Sequence, residues 1–273
     1  MPLTDWAILK LLIILPFLTL SLLAHAQTPK SPAGPRAPGR PLVVLDPGHG
    51  GDDDGARGRR GLLEKDVALG LATALAGQLA EAGIEARLTR ATDTFIPLWD
   101  RARMANEAGA DLFISLHLNA ARARQAKGSE VFFLSLGAGD PQAAELAALE
   151  NTQGPDGAGP NDDDIVAGIL SDLSQKAFLQ ESERLAVAIQ AQLNQLDGIR
   201  QRGVKQAPFV VLRGAAMPAV LVETAFISNP REEAELKDPR FLKRVAQAIA
   251  RGVRRFFADG TSLARRRTET GGN

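Results

Sequence analysis

Apolar positions along the chain alternate between short runs rich in branched residues and longer stretches with a helical repeat. The short runs Leu42–Leu45, Ile84–Thr89, Leu112–Leu116, Glu130–Leu134, Phe209–Leu212 and Ala219–Val222 predict strands. Between the first two, Val67, Leu71, Leu75 and Leu79 recur every four residues, and Gly83 stands where a left-handed helix cap is needed. A helix is therefore expected there, with others over Leu98–Ala108, Glu181–Leu196 and Pro239–Phe257. Several strand runs are apolar throughout rather than alternating, so both faces of the sheet must be covered. The expected fold is a single α/β domain with a mixed, mostly parallel sheet, helices on both faces and a site at the carboxyl ends of the strands.

The ends read differently. Leu11 to Leu23 is apolar except for Pro16, Thr19 and Ser21, follows Lys10 and precedes Ala24-His25-Ala26, a small-x-small cleavage pattern. Residues 1–26 are expected to be a signal peptide for the general secretory route. A membrane link would then exist only through this segment, if it stayed uncleaved. Five prolines and two glycines between Gln27 and Pro41 predict an extended linker. The catalytic domain is expected over 42–260 and a solvated tail, with Arg265-Arg266-Arg267, over 261–273. Between Gly137 and Gln180 a long stretch with Gly154, Pro155, Gly157, Gly159, Pro160 and Asp162-Asp163-Asp164 replaces the short connection that an α/β unit needs. It is read as a functional insertion flanked by helices over Ala143–Glu150 and Ile165–Phe178.

Composition narrows the chemistry. Lys+Arg and Asp+Glu are 32 each, which argues against a nucleic-acid partner. Cys and Tyr are both 0 among 273 residues, so thiolate nucleophiles, thiolate ligands, disulfides and phenol acids are excluded. Loss of the leader would leave His49 and His117 as the only histidines.

Both occupy corresponding places. His49 follows the strand Val43-Val44-Leu45 through Asp46-Pro47-Gly48, and His117 follows Leu112-Phe113-Ile114-Ser115-Leu116. Either alone reads equally well as a hydrogen-bonded imidazole at a strand end; the pair points to a shared metal. With no cysteine, a third protein ligand must be an oxygen donor. Glu64, at the start of the helix Glu64-Lys65-Asp66, fits best. It also reads as a solvated first-turn acid favoured by the helix dipole, and Asp52, Asp53 and Asp54 are rivals in a glycine-flanked loop. Glu223 interrupts the apolar run Pro218–Ile227, where an unpaired carboxylate is costly. Either a metal or its water compensates it, or an arginine such as Arg90 or Arg213 does.

These pieces together resemble the zinc-dependent N-acetylmuramoyl-L-alanine amidases of the periplasmic cell-division type. The matching segments are Leu45–Gly51, Leu63-Glu64-Lys65, Leu88-Thr89-Arg90, Phe113–Ala120, Val211-Leu212-Arg213 and Pro218–Glu223 continuing to Phe226–Pro230. The resemblance implies Zn2+ held by His49, Glu64 and His117, with Glu223 as the catalytic carboxylate. It implies hydrolysis of the amide between N-acetylmuramic acid and L-alanine of the peptidoglycan stem, in the periplasm, during daughter-cell separation. It also implies self-inhibition by an inserted helix, relieved by a LytM-type activator; Leu149-Glu150-Asn151 resembles the blocking segment, so Glu150 would cap the metal while Ile165, Ile169, Leu170 and Leu173 dock the lid or the activator. A monomer is expected. Two other functions compete. A non-catalytic peptidoglycan-binding module would want aromatic platforms, and aromatics are 5% of the chain. A zinc peptidase would break a different bond of the same stem.

Overall fold

The computed structural model describes residues 39–135, 141–152 and 162–270, with backbone alone over 162–177 and 261–270. The expected leader, most of the linker and the side chains of Ile165, Ile169, Leu170, Leu173 and the tail arginines lie outside the described residues. Among the described residues no helix is long and apolar enough to cross a membrane.

Six strands form one sheet in the order β2-β1-β3-β6-β4-β5. These are β1 (Leu42–Pro47), β2 (Glu85–Leu88), β3 (Leu112–Asn119), β4 (Ser129–Leu134), β5 (Gln201–Ala207) and β6 (Ala219–Phe226). The first three and β6 run parallel, while β4 meets β6 antiparallel and β5 parallels β4. Helix α1 (Glu64–Glu81) joins β1 to β2, and α2 (Leu98–Glu107) joins β2 to β3. The insertion supplies α3 (Pro141–Glu150) and the first part of α4 (Asp162–Leu193); α5 (Pro230–Leu236) and α6 (Pro239–Thr270) follow β6.

The apolar strand runs bury both sheet faces. One face packs Val43, Leu45, Ile114, Leu116, Val220 and Val222 under Leu71, Leu75, Ile189 and Ile249 of α1, α4 and α6. The other packs Leu42, Val44, Phe113, Phe132 and Leu221 under Ala102, Ala105, Ala143, Leu146 and Leu212. This is the mixed α/β sheet, covered on both sides, that continuous hydrophobic strands require.

Several elements differ from expectation, among them α6, which runs to Thr270 rather than ending near Phe257. Phe209–Leu212 is not a strand: Val210–Leu212 form a single 3-10 turn packed on the second face. Its apolar run satisfies burial in either conformation, and Pro208 just before it ends the ladder. The strand lies instead at Gln201–Ala207, a polar edge strand with no hydrophobic alternation to reveal it. Glu181–Leu196 is the distal part of the much longer α4, which ends at Leu193. Helix α5 was not expected, although Asn229 caps it by accepting from the N–H groups of Arg231 and Glu232, with Pro230 in the first turn.

Candidate metal centre and active site

The turn after β1 is built to aim an imidazole. His49 has φ 59, the one non-glycine positive φ among the described residues, so the chain reverses sharply there. Arg101, on α2 and 1% exposed, fixes that turn by donating to the carbonyls of Pro47 at 2.9 Å and His49 at 3.0 Å. Arg90 adds donations to Pro47 (3.1 Å) and Gly48 (2.7 Å). Buried Asp46 completes the scaffold, accepting from Thr89, Ser115 and Arg101. Burial opposes its ionisation, yet Arg101 and the two hydroxyls hold its carboxyl below the usual range. Gly48 is obligatory for space: a Cβ there would lie 2.5 Å from the ring of His117.

Asp53 sits 3.0 Å from His49 Nδ1, which leaves Nε2 to face inward. Glu64 enters from the first turn of α1. Its Oε2 accepts from the Ala56 N–H at 2.8 Å and its Oε1 from the Leu118 N–H at 2.8 Å. Glu64 Oε1 lies 3.0 Å from His49 Nε2 and 3.1 Å from His117 Nδ1. Helix α3 buries Ala143, Leu146, Ala147 and Glu150, a stripe of helical spacing that ends on a carboxylate. Glu150 Oε2 lies 3.0 Å from His117 Nδ1 and 3.6 Å from His49 Nε2.

Four donor atoms therefore converge from the turn after β1, from α1, β3 and α3, all within 4.8 Å of one another. A tetrahedral ion with nitrogen and oxygen ligands at roughly 2.0–2.2 Å needs donor separations of about 3.3–3.5 Å. The observed 3.0–3.6 Å contacts fit that requirement, and the cluster can hold a metal ion. Electrostatics point the same way. Burial disfavours charge on both rings, but Glu64 and Asp53 raise His49 to about 9, and Glu150 and Glu64 raise His117 well above its ordinary value. Glu64 moves oppositely: burial resists its ionisation, and the two imidazoles hold it far below the usual range. The carboxylates thus demand positive charge at this point.

Glu223 stands beside the cluster. It is 0% exposed on β6, in register with His117 of β3 on one side and Glu130 of β4 on the other. Neither of its carboxylate oxygens has a hydrogen-bond partner among the described residues. Burial is the main reason its carboxyl is pushed well above the ordinary value. The alternative ion pair with Arg90 or Arg213 is not formed: Arg90 spends its guanidinium on backbone carbonyls, and Arg213 does not reach Glu223. Glu130 does find cations, with Lys205 Nζ at 2.9 Å and Arg202 Nε at 3.2 Å.

Of the three aspartates weighed as rival ligands, Asp52 is exposed and outside the cluster, and the other two have partners of their own. Asp54 pairs with Lys65 at 2.9 Å and Arg57 at 2.8 Å, and Asp53 orients His49. Sequence reasoning overlooked Asp46, Arg101 and Glu130. Asp46 interrupts an apolar strand just as Glu223 does, so the same signal was available; Arg101 was hidden among the charges of an amphipathic helix.

Residues 43–255 match the family described as N-acetylmuramoyl-L-alanine amidase. The chain belongs to that family. It is 41% identical to N-acetylmuramoyl-L-alanine amidase AmiA of Escherichia coli (strain K12), over 86% of this chain and 83% of the relative. It is 40% identical to AmiC of Escherichia coli O6:H1, over 88% of this chain but 60% of that relative. Among solved structures, AmiC2 of Nostoc punctiforme is similar at 30% identity and TM-score 0.61, covering 81% of this chain and 98% of that one. An N-acetylmuramoyl-L-alanine amidase from Clostridium difficile 630 gives 29% identity and TM-score 0.62, over 80% and 97%. The amidase is thus an amide hydrolase acting on peptidoglycan, and the converging cluster lies within the matched region.

Proposed function

We propose that the chain is a zinc-dependent, self-inhibited amidase that cuts the bond between the lactyl group of N-acetylmuramic acid and L-alanine. The supporting observation is the pairing of a four-donor cluster with a buried carboxylate that has no hydrogen-bond partner among the described residues. His49, Glu64 and His117 would hold the ion, and Glu150 would occupy the fourth donor position at rest. Bound there, zinc supplies Lewis-acid polarisation and acidifies water to a pKa of about 7.

The protein's own groups account for the proton traffic. Glu223, kept dry on β6, has an unusually high proton affinity, which suits a group that must first accept and then donate. It takes a proton from the attacking water as the oxygen bonds to the lactyl carbonyl carbon. The carbon–nitrogen bond then breaks, and Glu223 returns the proton to the departing L-alanine nitrogen. Asp53 and the Leu118 N–H keep His49 and Glu64 in register throughout.

In this reading α3 must leave for substrate to enter, and a LytM-type activator acting in the periplasm would move it. The leader supports export, and the resemblance supports a role in daughter-cell separation. Elemental analysis of purified protein tests the metal. Mass spectrometry of digested sacculi tests the bond: whole stem peptides with a free L-alanine amine, and intact glycan strands, are expected. Trimmed stem peptides would assign a peptidase instead, and no products with a zinc-loaded, lid-opened chain would leave a binding module.

A further inference from the structure

Two adjacent glutamates of α5 reach in different directions. Glu232 is tied to the end of β6: its Oε2 accepts from the Phe226 N–H at 2.6 Å and its Oε1 from the Gly128 N–H at 2.8 Å. Glu233, 0% exposed, meets instead the loop that leads into Glu64. Its Oε1 accepts from the Arg60 N–H at 2.7 Å, and the Gly58 backbone passes so close that there is no room for a Cβ beside the same oxygen. Lys237, one turn later, donates to the Arg60 carbonyl at 3.1 Å. Glu233 Oε2 is buried without a hydrogen-bond partner among the described residues. A buried carboxylate satisfied on one oxygen is costly to the fold, which points to a role for the contact it makes with the loop.

That loop is a small hairpin. Arg57 and Leu63 pair antiparallel, and the Gly58 N–H donates to the Leu62 carbonyl at 2.8 Å. Its base grips Glu64: the Glu64 N–H donates to the Ala56 carbonyl at 3.0 Å, while Glu64 Oε2 accepts from the Ala56 N–H at 2.8 Å. Its tip, where Arg59, Arg60 and Gly61 are exposed, is what Glu233 and Lys237 hold. We propose that Glu233 is a positioning residue for the metal centre, fixing the hairpin tip so that Glu64 presents Oε1 to both imidazoles. This rests on the metal reading above and extends it to a residue outside the cluster. Metal–ligand distances tolerate only about 0.2 Å. Thermal displacement of even a well-ordered segment is roughly 0.5 Å per axis, so a ligand carried at the base of a surface hairpin needs the tip anchored.

The test measures zinc affinity of the full-length chain by chelator competition, alongside melting of the metal-free protein. E233A should bind zinc about 10–100-fold more weakly, the usual scale for a group that orients a ligand. G58A, whose methyl pushes the carboxylate aside without removing it, should weaken zinc in the same direction, and it decides the question if E233A does not fold. E233Q keeps an oxygen for the Arg60 N–H and should stay within a few-fold of the parent. Ala56 and Leu62 of the hairpin pack against the core of one sheet face, and Met217 lies in the core of the other. M217A therefore measures destabilisation alone, and zinc affinity should hold there. Cobalt-loaded protein gives a second readout, because its visible absorption reports coordination geometry: E233A should change the spectrum and M217A should not. Zinc affinity unchanged in E233A and G58A, or lowered equally in M217A, overturns the positioning role while leaving the metal centre intact. A parent chain that binds no zinc overturns the metal reading, and the positioning role with it.

Discussion

Glu150 Oε2 approaches His117 Nδ1 at 3.0 Å, as closely as Glu64 Oε1, which lies at 3.1 Å. A helix from the insertion thereby contributes a donor equivalent to one from the body of the domain. Its end is pinned by Asn151, which donates to the Pro208 carbonyl at 2.9 Å and accepts from the Val210 N–H at 2.8 Å. Two hydrogen bonds of this kind contribute on the order of 1 kcal/mol each, little enough for a partner protein to displace. Removing Ala143 to Leu173, or substituting E150A, is expected to raise basal release of soluble muropeptides by tenfold or more. N151A should give a smaller rise. A folded deletion variant no faster than the parent would rule out the lid.

Glu223 has a different dependence. Its carboxylate accepts no hydrogen bond among the described residues, so E223Q removes a proton acceptor without breaking one of them. Zinc content and melting temperature should stay near the parent values while turnover falls by roughly 10²–10⁴, the contribution typical of a positioned acid and base. Assay of the zinc-loaded, lid-opened enzyme separates these outcomes; turnover close to the parent would remove Glu223 from the proton pathway.

How visible each part was in the sequence follows from how local its cause is. His49 and His117 stand out because each terminates a buried apolar strand, and Glu223 because a charge interrupts such a strand. Glu64 was less distinct, since a first-turn acid has an ordinary explanation in the helix dipole. Contacts made across the fold left weaker traces: Glu150 meets the histidines only because Ala143, Leu146 and Ala147 seat α3 on the sheet. Strand β5 was invisible because an edge strand of mixed polarity has no face to announce, and Phe209–Leu212 misled because apolar residues bury equally well in a turn. The role of Asp53 could not be read from a run of three aspartates, as only the fold selects which one meets His49 Nδ1.

The raised proton affinity of His49 gives metal binding a pH dependence. In metal-free protein burial disfavours its charge, but Glu64 and Asp53 raise it from 6.5 to about 9. Imidazolium must lose its proton before it can ligate, so metal uptake near pH 7 releases protons and the affinity should climb until about pH 9. Calorimetric titration of chelated protein with zinc in buffers of different ionisation enthalpy measures that release. The same shift acts on folding. A histidine with a raised folded-state value stabilises fully below 6.5, and that contribution is lost as pH rises through about 9. Melting of the metal-free protein should accordingly fall between those limits, and a flat response there would contradict the ion pairs drawn around His49.

Asp46 and Arg101 give the final expectation, because they hold the His49 turn without entering the cluster. Arg101 Nη1 is 3.0 Å from Asp46 Oδ1, with both side chains almost wholly inaccessible. Breaking one half of a buried pair leaves the other charge uncompensated, a loss of about 3–5 kcal/mol. D46N keeps the shape and part of the hydrogen bonding to Thr89 and Ser115, so its loss should fall at or below the lower end of that range; R101M, which also frees the Pro47 and His49 carbonyls, should cost more. The pH dependence of this contribution has the opposite sign to that of His49. A carboxyl held below 3.8 stabilises above that value and loses its contribution as pH falls through its folded-state value. Denaturant unfolding of D46N and R101M at neutral pH measures the two losses. If both variants also bind zinc more weakly, the turn transmits the pair's geometry to His49; if stability falls while zinc affinity holds, the pair serves the fold alone.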